Sequence, residues 1–314
     1  MPRSGLVLLG LASWLLVCGT ALARPAAPTP TPDPVKSASP TLAPTSSPIP
    51  TQAAAALVAR PSPLPSSTPL AAAAPAPSRA TDTTLGTQII GASSDGRPLT
   101  VYQLGGGSHS VLVVGGIDGG TESNTTTLVE QMLQQLLDAQ DLLHAGFVLL
   151  FLPAINPDGL ASGSRWLADG VDANRNWPTP DWSPDTYVAG PTLIRGGGGP
   201  YPWSEPETRA LAAYVQAVRP SLIVSYHSAA ALVMAGPAAR SLGLDRLYAT
   251  ITGYDWGDWV AYPVTGDFAQ WTESQGIPTV EIELPDHSTT DFEANYDAFQ
   301  ALVGAMRAQV VTPT

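Results

Sequence analysis

The chain has 314 residues and a formal net charge of −12, with 26 acidic against 14 basic residues, so it offers no broad basic face to phosphates and a nucleic-acid partner is excluded. Cys18 is its one cysteine, which excludes a disulfide and cysteine-ligated zinc. Lys36 is the one lysine, so every cation further along is an arginine or a protonated histidine.

Residues 1–23 combine Arg3, an apolar run from Leu6 to Val17, and small residues at Ala21 and Ala23. This is the layout of an export signal cleaved after Ala23, and it predicts a secreted or cell-envelope bacterial protein. A retained membrane anchor and a lipid on Cys18 are the alternatives; the apolar run is shorter than the ~20 residues that span a bilayer, so no stable span is expected after cleavage. Residues 24–80 are dominated by Pro, Ala, Ser and Thr, too poor in large apolar groups to offset the entropy of ordering, and read as an extended tether. Residues 81–314 then form one domain, expected to be monomeric, with roughly 230 residues for a single core.

Within that domain, strands are predicted at 87–90, 99–104, 111–115, 147–153, 221–226 and 279–284. Helices are predicted at 125–140, 205–218, 268–275 and 292–309. The run FVLLFLP at 147–153 is almost wholly apolar, as a strand covered on both faces should be. Strands alternating with helices predict an α/β fold, a mixed, mainly parallel twisted sheet with helices on both faces, whose ligands bind beyond the carboxyl ends of the strands.

Polar residues gather at those ends. GGIDGGTESN carries Asp118 and Glu122 after the strand VLVV, and SLIVSYHS carries His227. The loop NPDGLASGSRWLADGVDANRNWP holds Arg165, Asn174 and Arg175, and the segment 261–286 holds Tyr262 and Glu283. Asp118, Glu122 and His227 are oxygen and nitrogen donors that suit a divalent metal with one position left for water. Glu283, on an apolar strand, is placed for a raised pKa and general-base work. Arg165 and Arg175 can grip a carboxylate or stabilise an oxyanion. Each residue also has a plainer reading: Asp118 as a turn cap, Glu122 as a carboxylate facing a helix macrodipole, His227 as a structural histidine. Glu281 rivals Glu283, and Tyr254 rivals Tyr262. His109, His144 and His287 show no ligand spacing and read as surface residues. The glycosylation pattern at Asn124 reads as chance.

GVDANRNWP, preceded by NPDG and followed in order by SEPETRAL, SYHS and EIELPD, closely resembles the zinc carboxypeptidase family, nearest its compact bacterial murein peptide amidase-like branch. The resemblance covers about Leu85 to Asp286, essentially the whole domain. It implies a metallocarboxypeptidase-like hydrolase with one divalent metal, zinc, acting on peptides or cell-wall peptides beside a free carboxylate. Residue by residue, it implies Glu122 and His227 as metal ligands and Glu283 as the general base that activates water. It implies Arg165 polarising the scissile carbonyl, Asn174 and Arg175 holding the terminal carboxylate, and Tyr262 closing over substrate. Ala269 falls at the specificity position and implies an uncharged or permissive side-chain preference.

One ligand departs from the family pattern: Asp118 stands where the family has histidine, and Glu122 follows four residues later instead of three. An aspartate oxygen lies as many bonds from the backbone as the imidazole nitrogen nearer the chain, so reach is kept. Charge is not, because the site with a divalent ion totals zero where the usual ligand set leaves +1. The expected consequence is weaker Lewis acidity. Two other classes therefore stay open: a catalytically silent peptide- or wall-binding domain, and a deacylase of N-acyl amino acids.

Overall fold

The computed structural model describes residues 85–139 and 147–311. The expected export segment, the tether, residues 81–84, His144 and the end of the first predicted helix fall outside them.

The chain opens with an antiparallel pair, β1 (Gly86–Ala92) and β2 (Pro98–Gly105), then β3 (His109–Val114), α1 (Ser123–Ala139) and β4 (Phe147–Leu152). A one-turn helix, α2 (Pro157–Ser162), follows, capped by Asn156, and then a small ribbon of β5 (Thr186–Tyr187) and β6 (Leu193–Ile194). Beyond it come α3 (Pro206–Val218), β7 (Leu222–Ser228), β8 (Leu232–Ala235), α4 (Pro237–Ser241) and α5 (Leu244–Thr252). The last elements are β9 (Asp255–Trp256), α6 (Phe268–Ser274), β10 (Thr279–Leu284) and α7 (Phe292–Val311).

One sheet carries eight strands in the order β1-β2-β4-β3-β7-β10-β8-β9. The centre, β4-β3-β7-β10, is parallel, while β2 joins β4 and β8 joins β10 in antiparallel fashion. Every residue of β4 and β7 is buried, because helices cover both faces of the sheet. One core layer packs Leu128 of α1, Tyr248 of α5 and Phe299 of α7 against the sheet. The opposite layer packs Leu211 of α3 and Trp271 of α6 with Trp177. The mixed, mainly parallel sheet is as the sequence predicts. Seven elements were not predicted: α2, β5, β6, β8, α4, α5 and β9. The strand β8 has only four residues between alanines, and α4 and α5 are short helices bounded by Gly236, Gly243 and Gly253. The strand β7 also runs to Ser228, so His227 lies inside a strand and not just beyond one. The parallel register pairs Glu283 with His227 and Glu281 with Ser225, which brings both glutamates to one side of the sheet at its carboxyl edge. Among the described residues no helix is long and apolar enough to cross a membrane.

Candidate active site

Asp118 and Glu122 stand at the two ends of a single 3₁₀ turn, Gly119–Glu122, between β3 and α1. The turn lies tightly on the loop after α2. The Gly120 N–H donates to the Ser164 carbonyl at 2.9 Å, and a Cβ at Gly120 would strike the backbone of Gly163. Asn156 fixes the same loop from the other side: its Oδ1 accepts from the Gly159 N–H at 2.7 Å and its Nδ2 donates to the Arg165 carbonyl at 2.8 Å. Arg165 is thereby held over both acids. Its Nη2 is 2.9 Å from Asp118 Oδ1, its Nη1 is 3.3 Å from Glu122 Oε1, and its Nε donates to Asp172 Oδ2 at 2.8 Å.

His227 faces the same acids from β7. Its Nδ1 is 3.1 Å from Asp118 Oδ2 and 3.7 Å from Glu122 Oε2, and the Ser228 N–H donates to Glu122 Oε2 at 2.9 Å. On the far side of the ring, Nε2 lies 3.2 Å from Ser225 Oγ. Asp118, Glu122 and His227 are all buried, and one donor atom from each falls within 4.8 Å of the others. Tetrahedral donors about 2.1 Å from an ion stand about 3.4 Å apart, so separations of 3.1 and 3.7 Å to the ring suit one. Two carboxylates and an imidazole are also the donor types that divalent ions take. The residues fit a metal.

Without an ion the cluster is charge-balanced by its own cations. Burial pushes Asp118 up, but the Arg165 charge and the His227 hydrogen bond outweigh it and hold the carboxyl below the usual range. Glu122 moves the other way, raised by burial and by the negative charge of Asp118. Burial opposes a charged His227 ring, yet Glu281 and Asp118 raise it to about 10.

Asn174 and Arg175 sit in a 3₁₀ turn opened by Asp172, whose Oδ1 accepts from the Asn174 N–H at 2.8 Å. Asp172 thus ties this turn to Arg165. Both residues are buried. Asn174 Oδ1 accepts from the Phe268 N–H at 3.0 Å, and Arg175 Nη1 donates to the Asn174 carbonyl at 2.6 Å. Two residues on, the Trp177 ring stacks 4.8 Å from that of Trp271, so the turn is anchored in the core.

All eight predicted site residues line one cleft of about 1440 Å³. Glu283 has a buried Oε2 without a hydrogen-bond partner among the described residues, and burial raises its pKa while His227 pulls it down. Tyr262 lines the cleft with its ring 5.1 Å from Trp259, whereas Tyr254 is buried and donates to Asp291 Oδ2 at 2.8 Å. Of the two tyrosines, Tyr262 is the one that lines the cleft. His109 packs on Phe147 away from the cleft. Asn124 is buried with its amide on the carbonyls of Asp286 and Thr289, which leaves no accessible acceptor for a glycan.

The sequence reading missed three cleft residues. His287, read as a surface residue, is exposed yet stands on the rim, with Nδ1 2.9 Å from Ser228 Oγ. Glu281, weighed only as a rival to Glu283, lines the cleft beside it, and burial lifts it to about 7 against the pull of His227. Asp267 lines it too, at the N-cap of α6. The alternation of acids at 281 and 283 was the one signal present.

A mixed sheet that gathers carboxylates, an imidazole and arginines at the carboxyl edge of its parallel strands defines a hydrolase of the metallopeptidase type. The sequence profile described as zinc carboxypeptidase matches residues 79–242. The chain belongs to the zinc carboxypeptidase family. It is 29% identical over 223 residues to murein peptide amidase A of Escherichia coli (strain K12), a match covering 67% of this chain and 86% of that protein. It is 31% identical over 161 residues to murein peptide amidase A of Vibrio campbellii, covering 48% of this chain and 62% of that one. Among solved structures, murein-tripeptide amidase MpaA from Escherichia coli O157 superposes with a TM-score of 0.55 at 24% identity, over 71% of this chain and 92% of that one. Thrombin activatable fibrinolysis inhibitor superposes with a TM-score of 0.63 at 18% identity, over 74% of this chain and 70% of that one. These structural likenesses carry the fold.

Proposed function

We propose that the protein is an exported metallocarboxypeptidase-like hydrolase that cleaves a cell-wall peptide beside a free carboxylate. The observation that carries this reading is the meeting of Asp118, Glu122 and His227 in one cleft with Glu283 and the Asn174–Arg175 turn. Asp118, Glu122 and His227 would hold one divalent metal, most simply the zinc of the family. Zinc bound there supplies Lewis acidity, lowering the pKa of water and polarising a carbonyl.

The chain's own groups do the rest. Glu283, kept basic by burial, accepts the proton of the attacking water and returns it to the leaving amine. Arg165 offers a fixed positive charge to the developing oxyanion from its place over Asp118 and Glu122. Arg175 and the amide of Asn174 hold the free carboxylate of the substrate, which sets which bond reaches Glu283. Tyr262 covers the bound peptide from the loop before α6. Export rests on residues 1–23 read as a signal and 24–80 as a tether, with residues 81–314 as the catalytic domain.

A second reading also has an observation behind it. Arg165 and His227 already face Asp118 and Glu122, so these two acids have partners in a metal-free peptide-binding site as well. Turnover by the full chain with zinc, on murein tripeptides with a free carboxyl end, decides between the two. Release of the terminal residue, detected by mass spectrometry and abolished by chelator, supports hydrolysis. Tight binding of the same peptides without cleavage, and without metal uptake, would establish the binding domain instead.

A further inference from the structure

The cleft carries more negative charge than the proposed reaction uses. Its wall holds only two arginines among the described residues, Arg165 and Arg175, against a larger number of carboxylates. Most of those acids have a partner or a role in the reaction. Asp118 and Glu122 face Arg165, and Asp258 pairs with Arg240 at 2.6 Å. Glu273 takes backbone N–H groups from Ala238, Ala239 and Thr279 at 2.9, 3.2 and 2.9 Å. Glu283 serves as base.

Glu281 is left over. No described residue donates a hydrogen bond to it, and the nearest positive group is His227 Nε2 at 4.0 Å, a nitrogen that already has Ser225 Oγ at 3.2 Å. Asp267 stands close to the same condition: one oxygen accepts from the Gln270 N–H at 2.7 Å, and no salt bridge from the described residues reaches the other.

Position then says what these acids face. Glu281 lies two residues before Glu283 on the same face of β10, about 6.6 Å from it along the strand. Asp267 precedes Phe268, whose N–H binds the Asn174 side chain, so it adjoins the proposed carboxylate grip. A terminal residue with its carboxylate on Asn174 and Arg175, and its amide bond at Glu283, is left one direction for its side chain, toward Glu281 and Asp267. Met234, paired with Glu281 across the β8–β10 register, lines the cleft with its neighbours Ala235 and Gly236, and Ala269 lines it from α6. Such a space takes an unbranched aliphatic stem and presents acids to its tip.

We propose that Glu281, assisted by Asp267, selects substrates whose terminal residue carries a cationic side chain, an ammonium group on an aliphatic stem. This rests on the proposed orientation of the substrate in the cleft and deepens it by naming the side chain taken. It runs against the permissive preference that Ala269 alone implies, because the charge comes from β10 and the cap of α6.

The test separates the two layers. The full chain carrying Glu283→Gln, loaded with zinc, is titrated calorimetrically with acetyl-Ala-Lys and with acetyl-Ala-norleucine, which has a neutral side chain of similar length. The lysine peptide is expected to bind at least tenfold tighter, and adding Glu281→Gln is expected to bring the ratio of the two affinities close to one. Equal affinities, tighter binding of norleucine, or a ratio that survives both Glu281→Gln and Asp267→Asn would overturn the selection. Thermal melts confirm that each variant is folded before its titration is read. Wild-type turnover of the same peptides is scored separately. A lysine preference without turnover would overturn the hydrolase and keep the selection, turnover without preference would do the reverse, and binding of neither peptide would overturn both.

Discussion

The metal-free cluster holds a proton that an arriving cation must displace, which fixes the sign of two pH dependences. Burial opposes a charged His227, but Glu281, then Asp118 and Glu122, raise the ring from 6.5 to about 10. Glu122 is also raised, by burial and Asp118. A divalent ion needs the neutral ring and the ionised carboxylate. Between pH 7 and 9 each zinc ion should therefore expel about one proton, from His227, and affinity should climb about tenfold per pH unit. Stability of the metal-free fold runs the opposite way. A group whose pKa is raised on folding gives its full stabilisation below its unfolded value and loses it as pH rises through the folded value. For His227 that loss runs from pH 6.5 to about 10 and amounts to at most about 5 kcal/mol. Glu122, raised by burial and by Asp118, is coupled to the ring, so the melting curve reads the two groups together. The assay is zinc titration calorimetry in two buffers of different ionisation enthalpy, beside melts in chelator from pH 6 to 10. The melting temperature in chelator should fall across this range while the rise on adding zinc grows. Zinc affinity independent of pH and buffer, or chelator melts that climb with pH, would refute the reasoning.

Two further outcomes follow from named contacts. Asp118→His removes one negative charge from the ligand set, so the zinc-loaded variant should hydrolyse peptides roughly tenfold faster than wild type in steady-state assays, and an unchanged rate with unchanged metal content would contradict the charge argument. Gly236→Ala should lower the melting temperature by about 3–8 °C, followed by circular dichroism, because its Cβ would run into Glu273 and break the carboxylate's hold on the N–H groups of Ala238, Ala239 and Thr279.

Much of this was legible in the chain where the chemistry is local. An all-apolar run reads directly as the covered strand β4. The motif GVDANRNW is legible because its polar side chains hold the loop together through specific bonds. Asp172 joins Asn174 to Arg165, and Asn176 donates its Nδ2 to the Gly198 carbonyl at 2.9 Å and accepts at Oδ1 from the Thr208 hydroxyl at 2.8 Å. What stayed hidden depends on contacts between distant segments. The exposure of Glu281 to the cleft follows from the pairing of β10 with β7, which no single strand sequence contains. His287 reaches the rim through Ser228, a residue of another strand. The short β8 and α5, four and nine residues long, are too brief to be read alone, and they hold their shape by packing on β10 and α7.

The central claim is that one ion on Asp118, Glu122 and His227 works with Glu283 as base, and the most direct measurement is metal content and peptide turnover on the same full-length preparations of wild type and Glu283→Gln. The account predicts one divalent ion per chain in both, with hydrolysis of a peptide bearing a free carboxyl end lowered about 10²–10⁴-fold by the substitution. A wild-type chain that takes up no ion, or a Glu283→Gln chain that cleaves as fast as wild type, would contradict it.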